Sequence, residues 1–141
     1  MAERRYAQGT TVPIAKTRVD LEAVLRKHGA DQIMSGSDSA ARIGFVGFTL
    51  RKRQYRIQLP ARSIRGVKPD QLEREQWRAL LLIIKAKLEF IRDGFTEPEQ
   101  EFMAHVVLPN GATVGEELAP RLAEAYATGN MPRLLPGGRD G

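Results

Sequence analysis

The sequence predicts an α+β fold: a three- or four-stranded antiparallel sheet packed by helices, with one long central helix in the C-terminal half. Three observations carry this expectation. Between Gln54 and Leu59 the chain alternates, with Tyr55, Ile57 and Leu59 set against Gln54, Arg56 and Gln58, the period of a half-buried antiparallel strand. From Asp70 to about Arg92, Trp77, Leu81, Ile84, Leu88 and Ile91 recur at spacings of four and three, the seam of a packed helix. Before them, Val19, Leu21, Val24 and Leu25 form an amphipathic stripe that stops at Gly29, a residue suited to the position just past a helix.

In chain order, residues 1–10 are expected as a flexible arm, 11–136 as a single domain and 137–141 as a mobile tail. Thr11 to Ala15 reads as a short strand, confined to a sheet edge because Pro13 has no amide proton. Thr17 reads as the N-cap of the first helix, with Asp20 three residues on. Gln32 to Ser35 is a short strand candidate, and Gly36-Ser37-Asp38-Ser39 has the composition of a loop. Ala41 to Leu50 is the next strand, apolar on both faces, with Gly44 and Gly47 marking a bulge or a close approach. Arg51-Lys52-Arg53 then falls at a hairpin tip. In the long helix, Leu80, Leu82, Ile83 and Phe90 widen the apolar sector, so it should be touched from more than one side. Thr96 with Glu99 suggests a capped third helix through about Val107. Pro109-Asn110-Gly111 is a turn. Thr113 with Glu116 suggests a fourth helix, kinked or restarted at Pro120 and ending near Gly129.

At 141 residues, 42% hydrophobic and 28% charged, the composition is that of a globular domain. The absence of cysteine excludes disulfides and thiolate metal sites and points to a reducing compartment. The charged start lacks an apolar stretch behind it, and the longest apolar run, Ala79 to Ile84, is too short for a bilayer. A cytoplasmic location without membrane contact is the expectation.

Charge is the strongest functional signal. Between Ala40 and Pro69 stand eight basic residues (Arg42, Arg51, Lys52, Arg53, Arg56, Arg62, Arg65, Lys68) and no acid, in a chain of net charge +5. Such a local surplus suggests a surface that meets a polyanion. Phe45, Phe48 and Tyr55 are the rings available to stack bases, although strand aromatics more often pack into a core, here against Trp77 and Leu81. On the long helix, Arg74, Arg78, Lys85 and Arg92 fall within about 40° of one another at 100° per residue. They either cover the rim of the core with their stems or, if they lie beside the hairpin, extend it into one groove.

Enzyme chemistry has little support. No phosphate-binding loop is present, and the two histidines have no ligand pattern around them. His28 reads as a charge favoured at a helix C-terminus, and His105 as a core or boundary residue. Asp93, Glu97, Glu99 and Glu101 are better explained by helix capping than by a metal ion. No cofactor is expected.

Several segments resemble a family of small proteins encoded by bacteriophages and prophages. They are Trp77-Arg-Ala-Leu-Leu-Leu-Ile-Ile-Lys-Ala-Lys-Leu-Glu89, Glu101-Phe-Met-Ala-His105, Leu108-Pro-Asn-Gly111, Thr113-Val-Gly115, Met131-Pro132 and Leu134-Leu-Pro136. The likeness extends to Tyr6–Ala30 and the basic hairpin. It implies a phage or mobile-element origin in a bacterial host cell, with roles in replication, recombination or evasion of host defence, and it transfers no functional residue. The expected function is therefore non-catalytic nucleic-acid binding, single-stranded DNA preferred. The contacts would come from Arg42, Arg51, Lys52, Arg53, Arg56, Arg62, Arg65, Lys68, Arg78 and Lys85. The alternative is an anti-defence protein that inhibits a host partner, and a homodimer is possible in either case.

Overall fold

The computed structural model describes residues 5–38, 40–41 and 43–134. The fold is α+β: a three-stranded antiparallel sheet and four α-helices, the longest in the C-terminal half. Arg42 and the expected tail at 137–141 lie outside the described residues. Of the expected arm, residues 5–10 are tied down. Arg5 donates to the Glu75 carboxylate at 2.9 Å, and Gln71 donates to the Thr10 carbonyl at 2.9 Å.

Helix α1 spans Ile14–Lys27. It starts three residues before the expected Thr17, because Pro13 itself serves as the N-cap at φ −61° and no strand precedes it. A missing amide proton costs nothing at that position. Leu21 and Leu25 are buried as the stripe requires, whereas Val19 faces solvent.

Strand β1 runs Asp31–Asp38, β2 Ile43–Leu50 and β3 Arg53–Leu59, in the order β1-β2-β3. β1 thus continues through Gly36-Ser37-Asp38, expected as loop, and β2 begins two residues after the expected Ala41. The extension of β1 has a packing reason. Gly36 pairs with Phe45, and a Cβ at Gly36 would come within 2.8 Å of the ring, so glycine here lets the ring lie down over the strand. The hairpin between β2 and β3 turns on Arg51 and Lys52, both left-handed at φ 47° and 69°. Two-residue hairpins of this hand normally use Asn or Gly, so two basic side chains hold a strained turn.

Register sorts the side chains. Val46 pairs with Ile57 and Phe48 with Tyr55 on the inner face, while Phe45 pairs with Gln58 and Gly47 with Arg56 on the outer face. The inner face meets helix α2, Pro69–Arg92, whose Trp77, Leu81, Ile84, Leu88 and Ile91 are all buried as the seam predicts. Gly44 is the close approach: a Cβ there would lie 2.8 Å from Trp77 Cζ2. Gly47 makes no such contact. Leu80 joins the core, but Ile83 and Phe90 remain exposed, so this part of the second apolar sector of α2 is left uncovered among the described residues.

The expected third helix is replaced by a short helix α3, Pro98–Glu101, and a single 3-10 turn, Met103–His105. Thr96 does not cap it and donates to Glu101 Oε2 instead. The helix stops because Phe102 turns into the core, packing edge-on against Phe48 and Tyr55 with ring centroids 5.6 and 5.7 Å away. Val106 then bridges Tyr55, adding a short rung along the β3 edge. Helix α4 spans Val114–Thr128 without restarting at Pro120, and Gly129 ends it in the left-handed region at φ 76°. The Thr113 cap is formed: its hydroxyl oxygen accepts from the Glu116 amide at 3.2 Å.

Candidate functional site

Helices α1 and α2 cover one face of the sheet; among the described residues the other is met at its Arg56 end by Val107, Gly111 and Glu116 and is otherwise open. Along β2 the open face carries Ile43, Phe45, Gly47 and Thr49. Its rows across the sheet are Gly36–Phe45–Gln58, Met34–Gly47–Arg56 and Thr49–Gln54, with Asp38 beside Ile43 at one end. Alternation builds this face, since every second residue of a strand points the same way. The Phe45 ring leans over Gly36 on the central strand. A shallow depression beside it is lined by Gln32, Met34, Phe45, Gly47, Gln54 and Arg56. Met34 is 65% exposed and Ile43 40%, which leaves an apolar floor in water among amide side chains. A hydrogen bond of 2.9 Å from the Thr49 hydroxyl to Gln32 Oε1 orders one corner.

The basic hairpin is not left without counter-charges, contrary to the local reading of the sequence. Arg51 pairs with Glu97 at 3.0 Å, Arg53 with Glu99 at 3.1 Å and Arg56 with Glu116 at 3.1 Å. Residues 46 and 60 positions away in sequence supply these acids, so three arginines of the acid-free segment meet carboxylates once folded. A backbone hydrogen bond at Glu99 holds its carboxyl below the usual range, and Arg53 lowers it further. Arg56 does the same for Glu116, helped by the Thr113 hydroxyl. Arg56 also donates to the Gly111 carbonyl at 2.9 Å, while its Nε is buried without an acceptor.

The other expected cations do not gather into one groove. Arg78 faces α1, paired with Asp20 at 3.1 Å, and Lys85 stands exposed on the same side of α2. Arg62 lines a separate depression with Tyr6, Ile64 and Leu72, on the helix side of the molecule. Arg65 and Lys68 are exposed in the connector before α2, and Lys52 is exposed at the hairpin tip. Arg92 pairs with its neighbour Asp93 at 3.1 Å.

Of the three candidate rings, Phe48 and Tyr55 are core residues at 1% exposure, stacked 5.4 Å apart, and only Phe45 reaches the open face. Burial raises the Tyr55 phenol above its usual range. His105 is half-buried at the boundary of the core, and His28 sits just past the end of α1. Burial lowers the His28 imidazole and the Arg92 and Lys27 charges lower it further, opposing the charge expected to be favoured at the helix end. Burial also lowers His105, with Lys87 adding to the effect. Among the described residues no group of three or more His, Asp or Glu is placed to hold a metal ion, and no helix is long and apolar enough to cross a membrane.

The platform around Phe45 is the part that sequence reasoning missed. Its signal was present in β3, where Gln54, Arg56 and Gln58 already share a face, but β2 is apolar on both sides and so did not reveal which phenylalanine joins them. Comparison of the chain with known protein families, with curated proteins and with solved structures finds no match.

Proposed function

We propose that the open face of the sheet binds single-stranded nucleic acid, without catalysis, with a base laid on Phe45. The observation that supports this reading is the lone aromatic ring on the central strand, leaning over Gly36 and flanked by Gln54, Gln58, Gln32 and Thr49. A ring on the outer face of a sheet is the usual stacking platform for an unpaired base, and amides beside it can bond base edges. Duplex binding has less support, because no helix stands ready to enter a groove.

Electrostatics would be a secondary contribution. With Arg51, Arg53 and Arg56 already engaged by carboxylates, Lys52 is the hairpin cation free to meet a phosphate. Each phosphate neutralised on a single strand contributes roughly 0.7 to the salt slope, so the hairpin should contribute a slope of only about −0.7.

The test is fluorescence anisotropy with labelled single-stranded DNA, single-stranded RNA and duplex oligonucleotides at low salt. Phe45→Ala should weaken single-strand binding by about 1–3 kcal/mol, the usual worth of one base stacked on a ring. Lys52→Ala should cost less. Failure of the native protein to bind any of them would remove this reading and favour a protein-directed inhibitor.

A further inference from the structure

We propose that the outer face of α2 joins two copies of this chain in an antiparallel, two-fold pair. Ala79, Ile83, Ala86 and Phe90 follow one another at spacings of four, three and four and fall within about 60° of each other at 100° per residue. They form a second seam, centred about 160° from the Trp77, Leu81, Ile84 and Leu88 seam that packs on the sheet. Ile83 is 45% exposed and Phe90 47%, and Phe95, which stacks on Phe90 at 5.2 Å, is 70% exposed. A contiguous apolar strip of this kind in water marks an interaction surface.

The strip is complementary to itself. Small and large residues alternate along it, and a two-fold axis between Ile84 and Lys85 sets Phe90 of one copy on Ala79 of the other and Ile83 on Ala86. Large meets small at every step, the interdigitation that helix seams require. Beyond Phe90 the same register brings the Phe90–Phe95 stack to the stretch between Ala79 and Leu72 of the second copy. There each chain carries an apolar depression lined by Tyr6, Ile64, Leu72 and Ala79. Tyr6 and Ile64 are themselves exposed in the single chain. Asp93, paired with Arg92 of its own chain, arrives with the aromatic stack beside Arg62, which borders the depression. Knob and hole lie on one surface, so a second copy satisfies both at once, as an isologous interface demands. The α2 core face lies between this strip and the sheet, so pairing leaves both open sheet faces uncovered. The inference stands independently of what those faces bind.

Sedimentation equilibrium on the native chain should give twice the chain mass. Ile83→Glu and, separately, Ala86→Arg alter side chains exposed in the single chain, and each should weaken association on the order of 100-fold or more while the far-ultraviolet circular dichroism stays native. The chain has no cysteine, so orientation can be read by cross-linking. A mixture of Ala79→Cys and Phe90→Cys chains should form a disulfide-linked pair under mild oxidation. Ala79→Cys alone should not, because its two copies lie about 16 Å apart along the helix. A native chain that stays monomeric up to about 1 mM, at the weak limit of specific association, would overturn the proposal. So would pairing that both charged variants leave intact, or equal cross-linking by Ala79→Cys alone.

Discussion

On one face of the sheet, Val46, Phe48, Leu50, Tyr55 and Ile57 are sealed from water under α2 and Phe102. On the other, one strand position away, Phe45, Met34 and Ile43 sit in or beside water among Gln54, Arg56 and Gln58. The same three strands therefore present a core and a platform. Residues that stabilise the domain and residues proposed to meet a ligand alternate along a single stretch of chain. Substitutions that differ by one position should separate stability from binding.

The largest contrast is between neighbouring phenylalanines. Phe48→Ala removes a ring packed against Tyr55 and Phe102 and should cost about 3–5 kcal/mol in chemical denaturation. Phe45→Ala on the open face should cost less than about 1 kcal/mol, because its ring is only half-buried. Equal losses would show that the open face is covered in solution.

A smaller contrast lies between two glycines that each touch a ring. Gly44→Ala drives a Cβ to 2.8 Å from the buried Trp77 indole, which cannot move away, and should cost about 1–3 kcal/mol. Gly36→Ala meets the Phe45 ring at the same 2.8 Å, but that ring is free to lift toward solvent. It should therefore change stability little and oligonucleotide affinity more. The emission of Trp77, the only tryptophan, reports on the first variant directly.

The fold was legible wherever one face of an element is polar. The alternation of Gln54 to Leu59 and the seam of α2 needed nothing beyond their periodicity, and both match the structure. Legibility failed where an element's length depends on distant packing. Pro98 begins α3 and Phe102 is drawn into the core four residues later, so the capped helix expected from Thr96 never extends. β1 outran its expected end because Gly36-Ser37-Asp38, a loop by composition, pairs with Phe45, Gly44 and Ile43. Charge was the least legible property. Counting acids near Arg51, Arg53 and Arg56 in sequence could not reveal Glu97, Glu99 and Glu116 beside them in space.

These ion pairs and the half-buried His105 set a weaker, pH-dependent difference between the regions. The imidazole of His105 lies below its usual 6.5 in the folded chain, so the unfolded chain takes up the proton first as pH falls. Its contribution is present above pH 6.5 and declines as pH drops from there toward the folded value. Glu116 and Glu99 are also lowered, from 4.5, so their pairs with Arg56 and Arg53 are lost only below that range. Thermal unfolding should thus be level near neutrality and fall in two stages on acidification. A rise in stability between pH 6.5 and 5 would contradict the burial of His105.

The central claim concerns which face meets the ligand. Titration of a short single-stranded oligonucleotide into isotopically labelled protein, followed through backbone amide shifts, reads this directly. The account predicts that shifts concentrate at Met34, Phe45, Gly47, Gln54 and Gln58, fade toward Val46, Phe48 and Ile57, and leave Ile83 and Phe90 unmoved. Shifts confined to the Arg62–Lys68 connector or to α2, with the Phe45 row silent, would contradict it.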